Sequence, residues 1–123
     1  LVLTFQKELA RRIISQPQTS SYGALSVLIQ LNFQIHSLGV IPKGAFYPKP
    51  EVDSQALCLK PIPCQTQPMT NEVVHAAFAH RRKKLLNNLR LHFKELAVTC
   101  LEDILEKMNL PTQVRAEQLS KEQ

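Results

Sequence analysis

The 123 residues carry 15 Lys+Arg against 10 Asp+Glu, a formal net charge of +5, with 44% hydrophobic and 20% charged residues. That balance excludes a disordered tail and suits a soluble chain with one modest core. No apolar run approaches the length of a bilayer span and no signal-peptide pattern is read at the start, so a membrane role is not expected. Three cysteines, Cys58, Cys64 and Cys100, form no CxxC pair; neither a disulfide framework nor a metal site is expected, and a reducing, cytoplasmic setting fits.

In chain order, Leu1 to Phe5 reads as a buried strand. Gln6 to Ser15 follows with Leu9, Ala10, Ile13 and Ile14 at helical spacing, and Glu8 stands four residues before Arg12 in the favourable order. Pro17 stops that helix. Ser20 or Ser21 is placed to cap a second one carrying Leu25, Leu28 and Ile29 to about Leu31. Phe33 to Ile41 is a strand closed by Pro42. From Val52 to Leu59 the second half is apolar on both faces, which predicts an interior strand covered on both sides. Lys60 to Met69 holds three prolines in ten residues and no periodicity, a linker.

Beyond it every pattern is helical. Thr70 is placed to cap a helix with Val74, Ala77 and Phe78, and Leu85, Leu86 and Leu89 prolong its stripe. A straight helix would set Arg81 on that stripe, so a break near His80 is expected. Thr99 and Glu102 have capping-box spacing ahead of Leu101, Ile104, Leu105 and Met108, and Asn109-Leu110-Pro111 ends that helix. Strands first and helices afterwards predict part of an α/β layered domain over residues 1–60, a linker over 61–69 and a small all-α domain over 70–123. Leu1 in place of Met, and Ser120 to Gln123 with the spacing of a helix-starting capping box, lead us to expect a fragment.

Two features bear on chemistry. From Val73 to Lys94 there are six cations (Arg81, Arg82, Lys83, Lys84, Arg90, Lys94), three histidines and no acid, a cluster that suits a polyanion, nucleic acid before membrane. A solvated helix face is the plainer alternative. The loop after the second strand is stiffened by Pro42, Pro48 and Pro50, which fix φ and remove three amide donors. It displays Phe46-Tyr47, suited to stacking on a base taken out of its helix, or to packing back onto the sheet. His36 is read as a packed or edge residue. His75, His80 and His92 lack partners at metal spacing.

The strings GAFYPKPEVDS (Gly44 to Ser54), FQKELARRI (Phe5 to Ile13), SSYGALSVLIQ (Ser20 to Gln30), AFAHRRKKLLNNL (Ala77 to Leu89) and RAEQLS (Arg115 to Ser120) resemble, in order and at about the expected spacing, the small-subunit ribosomal RNA adenine dimethyltransferases of the KsgA type. Macrolide-resistance rRNA methyltransferases are similar through the first half, fit RRKKLLNNL and RAEQLS less well, and stand as an alternative reading.

The resemblance implies the C-terminal part of a Rossmann-like class I methyltransferase sheet followed by an RNA-binding helical domain. It implies transfer of methyl groups from S-adenosylmethionine to N6 of two adjacent adenines near the 3' end of small-subunit rRNA, in the immature subunit. Phe46 would then lie beside the acceptor adenine. Arg81, Arg82 and Lys83 would grip RNA, with Lys84, Arg90 and Lys94 extending the patch. The family's Gly-rich cofactor turn and its Asn-hydrophobe-Pro-aromatic motif are not among these residues, so the cofactor site is expected upstream and the fragment alone inactive. A monomer is expected, though no residue pattern decides the oligomeric state. The rival from another class is a non-catalytic RNA- or ribosome-binding assembly factor, or a transcription factor, on the same scaffold.

Overall fold

The computed structural model describes residues 1–63 and 67–123; Cys64, and with it part of the expected linker, lies outside them. Strand β1 (Val2–Gln6) leads into helix α1 (Lys7–Ile14), α2 (Ala24–Asn32) and strand β2 (Phe33–Ile41). A short 3₁₀ turn (Lys43–Ala45) precedes strand β3 (Ser54–Pro61). Then come α3 (Thr70–Ala77), α4 (Leu85–His92), α5 (Val98–Lys107) and a 3₁₀ turn at Ala116–Gln118. The chain is an α/β protein in the expected order of elements.

The sheet has the order β1-β3-β2, and both pairings are antiparallel. Pairing alternates the faces of each strand. Leu3, Phe5, Leu57, Leu59 and Ile35 share one face by register. Leu57 and Leu59 are buried there with Ala10 and Ile13 of α1, and Phe5, Ile14, Ile29, Phe33 and Ile35 pack around them. The opposite face carries Val2, Thr4, Ala56, Cys58 and His36, of which Val2, Thr4 and His36 are exposed. Gly39, at a φ of 129°, sits where the β2–β3 register slips by one residue, a bulge that an L side chain would strain.

Two strand expectations need correction. β1 is not a buried strand: it pairs with β3 alone and Val2 is 60% exposed, because its outer edge has no partner among the described residues. β3 is interior in its pairing, and α1 packs on the face of Leu57 and Leu59, whereas Ala56 and Cys58 on the other face are half-buried. Its apolar second half signals burial that the described residues do not complete. β3 also runs two residues further than expected, so Lys60 and Pro61 belong to the sheet and not to the linker.

Helix ends are held by tertiary contacts more than by local caps. Ser20 and Ser21 do not cap α2; Gly23 stands at its N-cap, and its amide donates to the Ser26 hydroxyl at 3.2 Å. That hydroxyl in turn donates to the carbonyl of Arg12. Gln30, one turn on, donates to the carbonyls of Ile13 (2.9 Å) and Ser15 (2.8 Å). Ser26 and Gln30 of α2 thus satisfy the orphan carbonyls at the end of α1, which a helix cannot satisfy alone. Thr70 and Thr99 lie inside the first turns of α3 and α5 and make no side-chain cap bond, so neither expected cap forms. Asn109 does end α5: at a φ of 55° it lets the Leu110 amide reach the Leu105 carbonyl at 2.8 Å. The Gln123 side chain accepts from the Ser120 amide at 3.0 Å, half of the expected capping box.

The helices after the linker have their own core: Ala77, Leu85, Leu86, Leu101, Leu105, Val114 and Ala116 are buried together, with Phe78, Leu89, Leu110 and Leu119 against them. The break near His80 is present, a turn over residues 78–84 between α3 and α4. Asn88, 2% exposed, holds it by donating to the carbonyls of Ala77 (2.7 Å) and His80 (3.0 Å).

Candidate functional site: an aromatic loop and a basic turn

The loop between β2 and β3 lies at the end of the sheet where β1 passes into α1, since Gln6 and Ile41 both pair with Ser54. Asp53 closes it from both sides. Its carboxylate accepts from the Lys43 amide at 2.9 Å, and its carbonyl accepts from the Lys7 amide, the first of α1, at 2.9 Å. One residue therefore ties the loop's start to its end and the whole loop to the helix N-terminus, where amides otherwise lack acceptors. Phe46 is 38% exposed and belongs to neither core cluster; Tyr47 is fully exposed. Tyr47 stands wholly in water, which is unfavourable for an aromatic ring, whereas the larger part of Phe46 is covered by neighbouring atoms. The ring pair is visible in sequence, but the greater exposure of Tyr47 is not.

The six cations are all exposed, and the structure divides them. Arg82, Lys83, Lys84, Arg90 and Lys94 have no ion pair among the described residues, whereas Arg81 is engaged. Its Nε donates to Glu117 at 3.3 Å, and its Nη2 donates to the carbonyls of Thr19 (3.4 Å), Ser20 and Tyr22 (3.3 Å). The turn between α3 and α4 takes Arg81 off the apolar stripe and turns it toward the α1–α2 connection. His92 meets Glu72 at 3.0 Å, while His75 lies on α3 and His80 in the turn that follows it. No cluster of three metal-ligating side chains is present among the described residues.

Tyr22 is 1% exposed; its hydroxyl donates to the Leu119 carbonyl at 2.8 Å, and its ring meets that of Phe78 edge-on at 6.0 Å. Burial, with Glu122 nearby, raises its pKa above the usual phenol value. An apolar groove of about 870 Å³ runs between α2, α3, α5 and the last residues, lined by Val27, Val74, Ile104 and Leu119 among others. It contains neither Phe46 nor any of the six cations.

The three glycines are the positions where backbone could approach a cofactor most closely. Gly23, Gly39 and Gly44 form no GxG pattern, and a Cβ at each would meet no protein atom within 4 Å, so protein packing requires none of them to be glycine. Among the described residues no helix is long and apolar enough to cross a membrane.

The family model "Ribosomal RNA adenine dimethylase" matches residues 1–123. The chain belongs to the ribosomal RNA adenine dimethylase family. Ribosomal RNA small subunit methyltransferase A of Synechocystis sp. is 40% identical over all of this chain and 44% of its own length. The protein of the same name from Rippkaea orientalis is 40% identical over all of this chain and 46% of its length, and that of Latilactobacillus sakei 38% over all and 44%. This member of the family therefore spans less than half the length of the curated relatives it matches. Among solved structures, a dimethyladenosine transferase from Plasmodium falciparum superposes with a TM-score of 0.76 at 24% identity, over 98% of this chain and 52% of that one. The 23S rRNA methyltransferase ErmE does so with 0.61 at 19%, over 98% and 50%. At those identities the two superpositions speak for the fold alone.

Proposed function

We propose that the chain is the C-terminal part of an rRNA adenine dimethyltransferase, a cytoplasmic enzyme that acts on two adjacent adenines near the 3' end of small-subunit rRNA in the immature subunit. The observation that carries this is the joint presence, on a chain matched from residue 1 to residue 123 by the family, of an aromatic loop pinned outside the core and an acid-free basic turn. The edge of β1, unpaired among the described residues, supports a sheet continued by further strands, in a Rossmann-like arrangement, since exposed edges are normally covered. Residues 1–60 then form the end of the methyltransferase domain, and 70–123 a helical RNA-binding domain.

S-adenosylmethionine supplies the methyl group from a site upstream of these residues. What this chain contributes is positioning. The N6 nitrogen of adenine is a weak nucleophile because its lone pair is delocalised, so the base must be oriented in line with its methyl donor. Phe46 returns to an unstacked adenine part of the stacking it lost, about 1–3 kcal/mol. Arg82, Lys83, Lys84, Arg90 and Lys94 hold the RNA by its phosphates, which orients it without reading its bases.

The test is methyl transfer from labelled cofactor to under-methylated small subunits by the full-length protein, with dimethyladenine located by sequencing of the RNA. Dimethylation of two neighbouring adenines near the 3' end is expected, and none from residues 1–123 alone. Binding without transfer by the full-length protein would instead make it an assembly factor on the same scaffold.

A further inference from the structure

Arg81 stands first in the basic run, yet its surroundings are those of a clamp. Its guanidinium is spread over four acceptors, the Glu117 carboxylate and the carbonyls of Thr19, Ser20 and Tyr22. These come from the α1–α2 connection and from the 3₁₀ turn near the end of the chain, and Arg81 itself comes from the turn between α3 and α4. Three segments meet at one side chain. The planar fork of Arg suits such convergence, since its donors are fixed in direction, and a Lys ammonium cannot serve a carboxylate and several carbonyls laid out around a plane in the same way.

The neighbouring bonds tie the same segments. Gln18, at a φ of 67°, donates its amide to the Glu117 carbonyl at 2.8 Å. Tyr22 donates to Leu119, and Lys121 donates to the Gln30 carbonyl at 3.2 Å. Arg115 lies 4.0 Å from the second carboxylate oxygen of Glu117, which holds that carboxylate between two guanidinium groups. Arg81, Glu117, Gln18 and Ser20 line a polar cleft of about 420 Å³ at this junction.

We propose that Arg81 and Glu117 are positioning residues, which lock the basic turn of Arg82, Lys83 and Lys84 to the sheet-bearing half of the chain, so that RNA held by the turn is presented in a fixed orientation. The inference rests on the function proposed above. Within the basic run the first cation, half exposed, is engaged by protein carbonyls, and the following ones face RNA.

The full-length protein is to be compared with R81A, R81K and E117A, and with the triple variant R82A/K83A/K84A, in RNA affinity across salt concentrations and in kcat and KM for methyl transfer. A lost phosphate contact lowers the salt slope by about 0.9. The clamp requires R81A to keep the wild-type slope while kcat/KM falls on the order of 10-fold or more through misorientation. R81K must fail to rescue although it keeps the charge, and E117A must share the loss although it removes a negative charge near RNA. Hydrogen exchange at the Gln18 amide, read without RNA, should quicken in all three.

A slope lowered by about one in R81A, wild-type behaviour of R81K, or tighter RNA binding by E117A would each overturn the clamp and make Arg81 a phosphate contact. If R81A does not fold, R81K and E117A carry the same decision. The triple variant tests the other half: an unchanged slope there sinks the RNA surface, while the Gln18 exchange still reports on the clamp.

Discussion

Phe46 stands out in sequence for its place among prolines, where packing onto the sheet is the competing account. In the structure the ring lies outside both cores, half-turned to solvent beside a bare Tyr47. Phe46→Ala in the full-length protein is expected to lower methyl transfer about 10-fold or more, in line with one lost stacking contact, with RNA affinity nearly unchanged; a wild-type turnover rate would refute stacking. Asp53 is inconspicuous in sequence because its partners, the Lys43 and Lys7 amides, are brought to it only by the closed loop. Asp53→Ala should free the loop and reproduce the loss in turnover without a comparable loss in melting temperature, and a variant as active as wild type would leave Asp53 no part in holding Phe46. Asn88 is a residue of a different kind. Its amide nitrogen serves one carbonyl at the end of α3 and one in the turn after it, while its Oδ1 is buried without a partner among the described residues. Asn88→Ala removes both donors and also the orphan oxygen, so a net loss of about 2 kcal/mol is expected, read as a lower urea midpoint; a midpoint equal to wild type would mean that water replaces both bonds.

The elements themselves are largely legible in the sequence, because a 3.6-residue period or an alternation is a local property. β2 spans the expected residues, α1 and α5 nearly so, and the exposed Glu8–Arg12 pair forms at 3.8 Å. Caps differ from expectation where the deciding partner is distant: Ser26 and Gln30 close α1 from another helix, which no window around Ser15 reveals. The apolar residues of β1 suggest burial, but apolarity reports the burial a strand needs and not what supplies it. Its free edge carries a consequence for the 123-residue chain on its own. Unpaired amides and carbonyls beside Val2 and Leu3 form a template for another strand, so the chain should self-associate at high micromolar concentration, and Val2→Lys should reduce this. Light scattering checks it; a monodisperse wild-type chain would show that the edge is protected in some other way.

At the scale of the molecule, two cores meet along a junction of Tyr22 with Phe78 and Leu119, Arg81 with Glu117 and three carbonyls, and Lys121 with Gln30. Six cations in sequence suggest a fall of log affinity with log salt of about 4 to 5; with Arg81 engaged by protein acceptors, the remaining five give about 4. The triple variant R82A/K83A/K84A should lower that slope by about 3, measured as affinity for small-subunit rRNA across salt; a slope unchanged by the triple substitution would place the RNA surface elsewhere. Tyr22 makes the junction sensitive to alkali. Burial raises its folded pKa above its unfolded one, so its contribution is present below the ordinary phenol value and is lost as pH rises through the raised one.

By itself the sequence determined the succession of strands and helices, the break before α4, the stiffness of the aromatic loop and the sign and place of the charged run. Each depends on residue type and near spacing: prolines restrict their own backbone, and apolar periods choose helix or strand. Only the tertiary structure decided which cation of the run is engaged by protein, which residue pins the loop and which face of the sheet is covered. Hydrogen bonds such as Arg81 to Ser20 and Tyr22 to Leu119 join residues 61 and 97 apart, and polar partners at that separation leave no period in the chain. A charge seen in sequence is therefore a fact about composition, and becomes an RNA contact or a clamp only when the fold sets acceptors beside it.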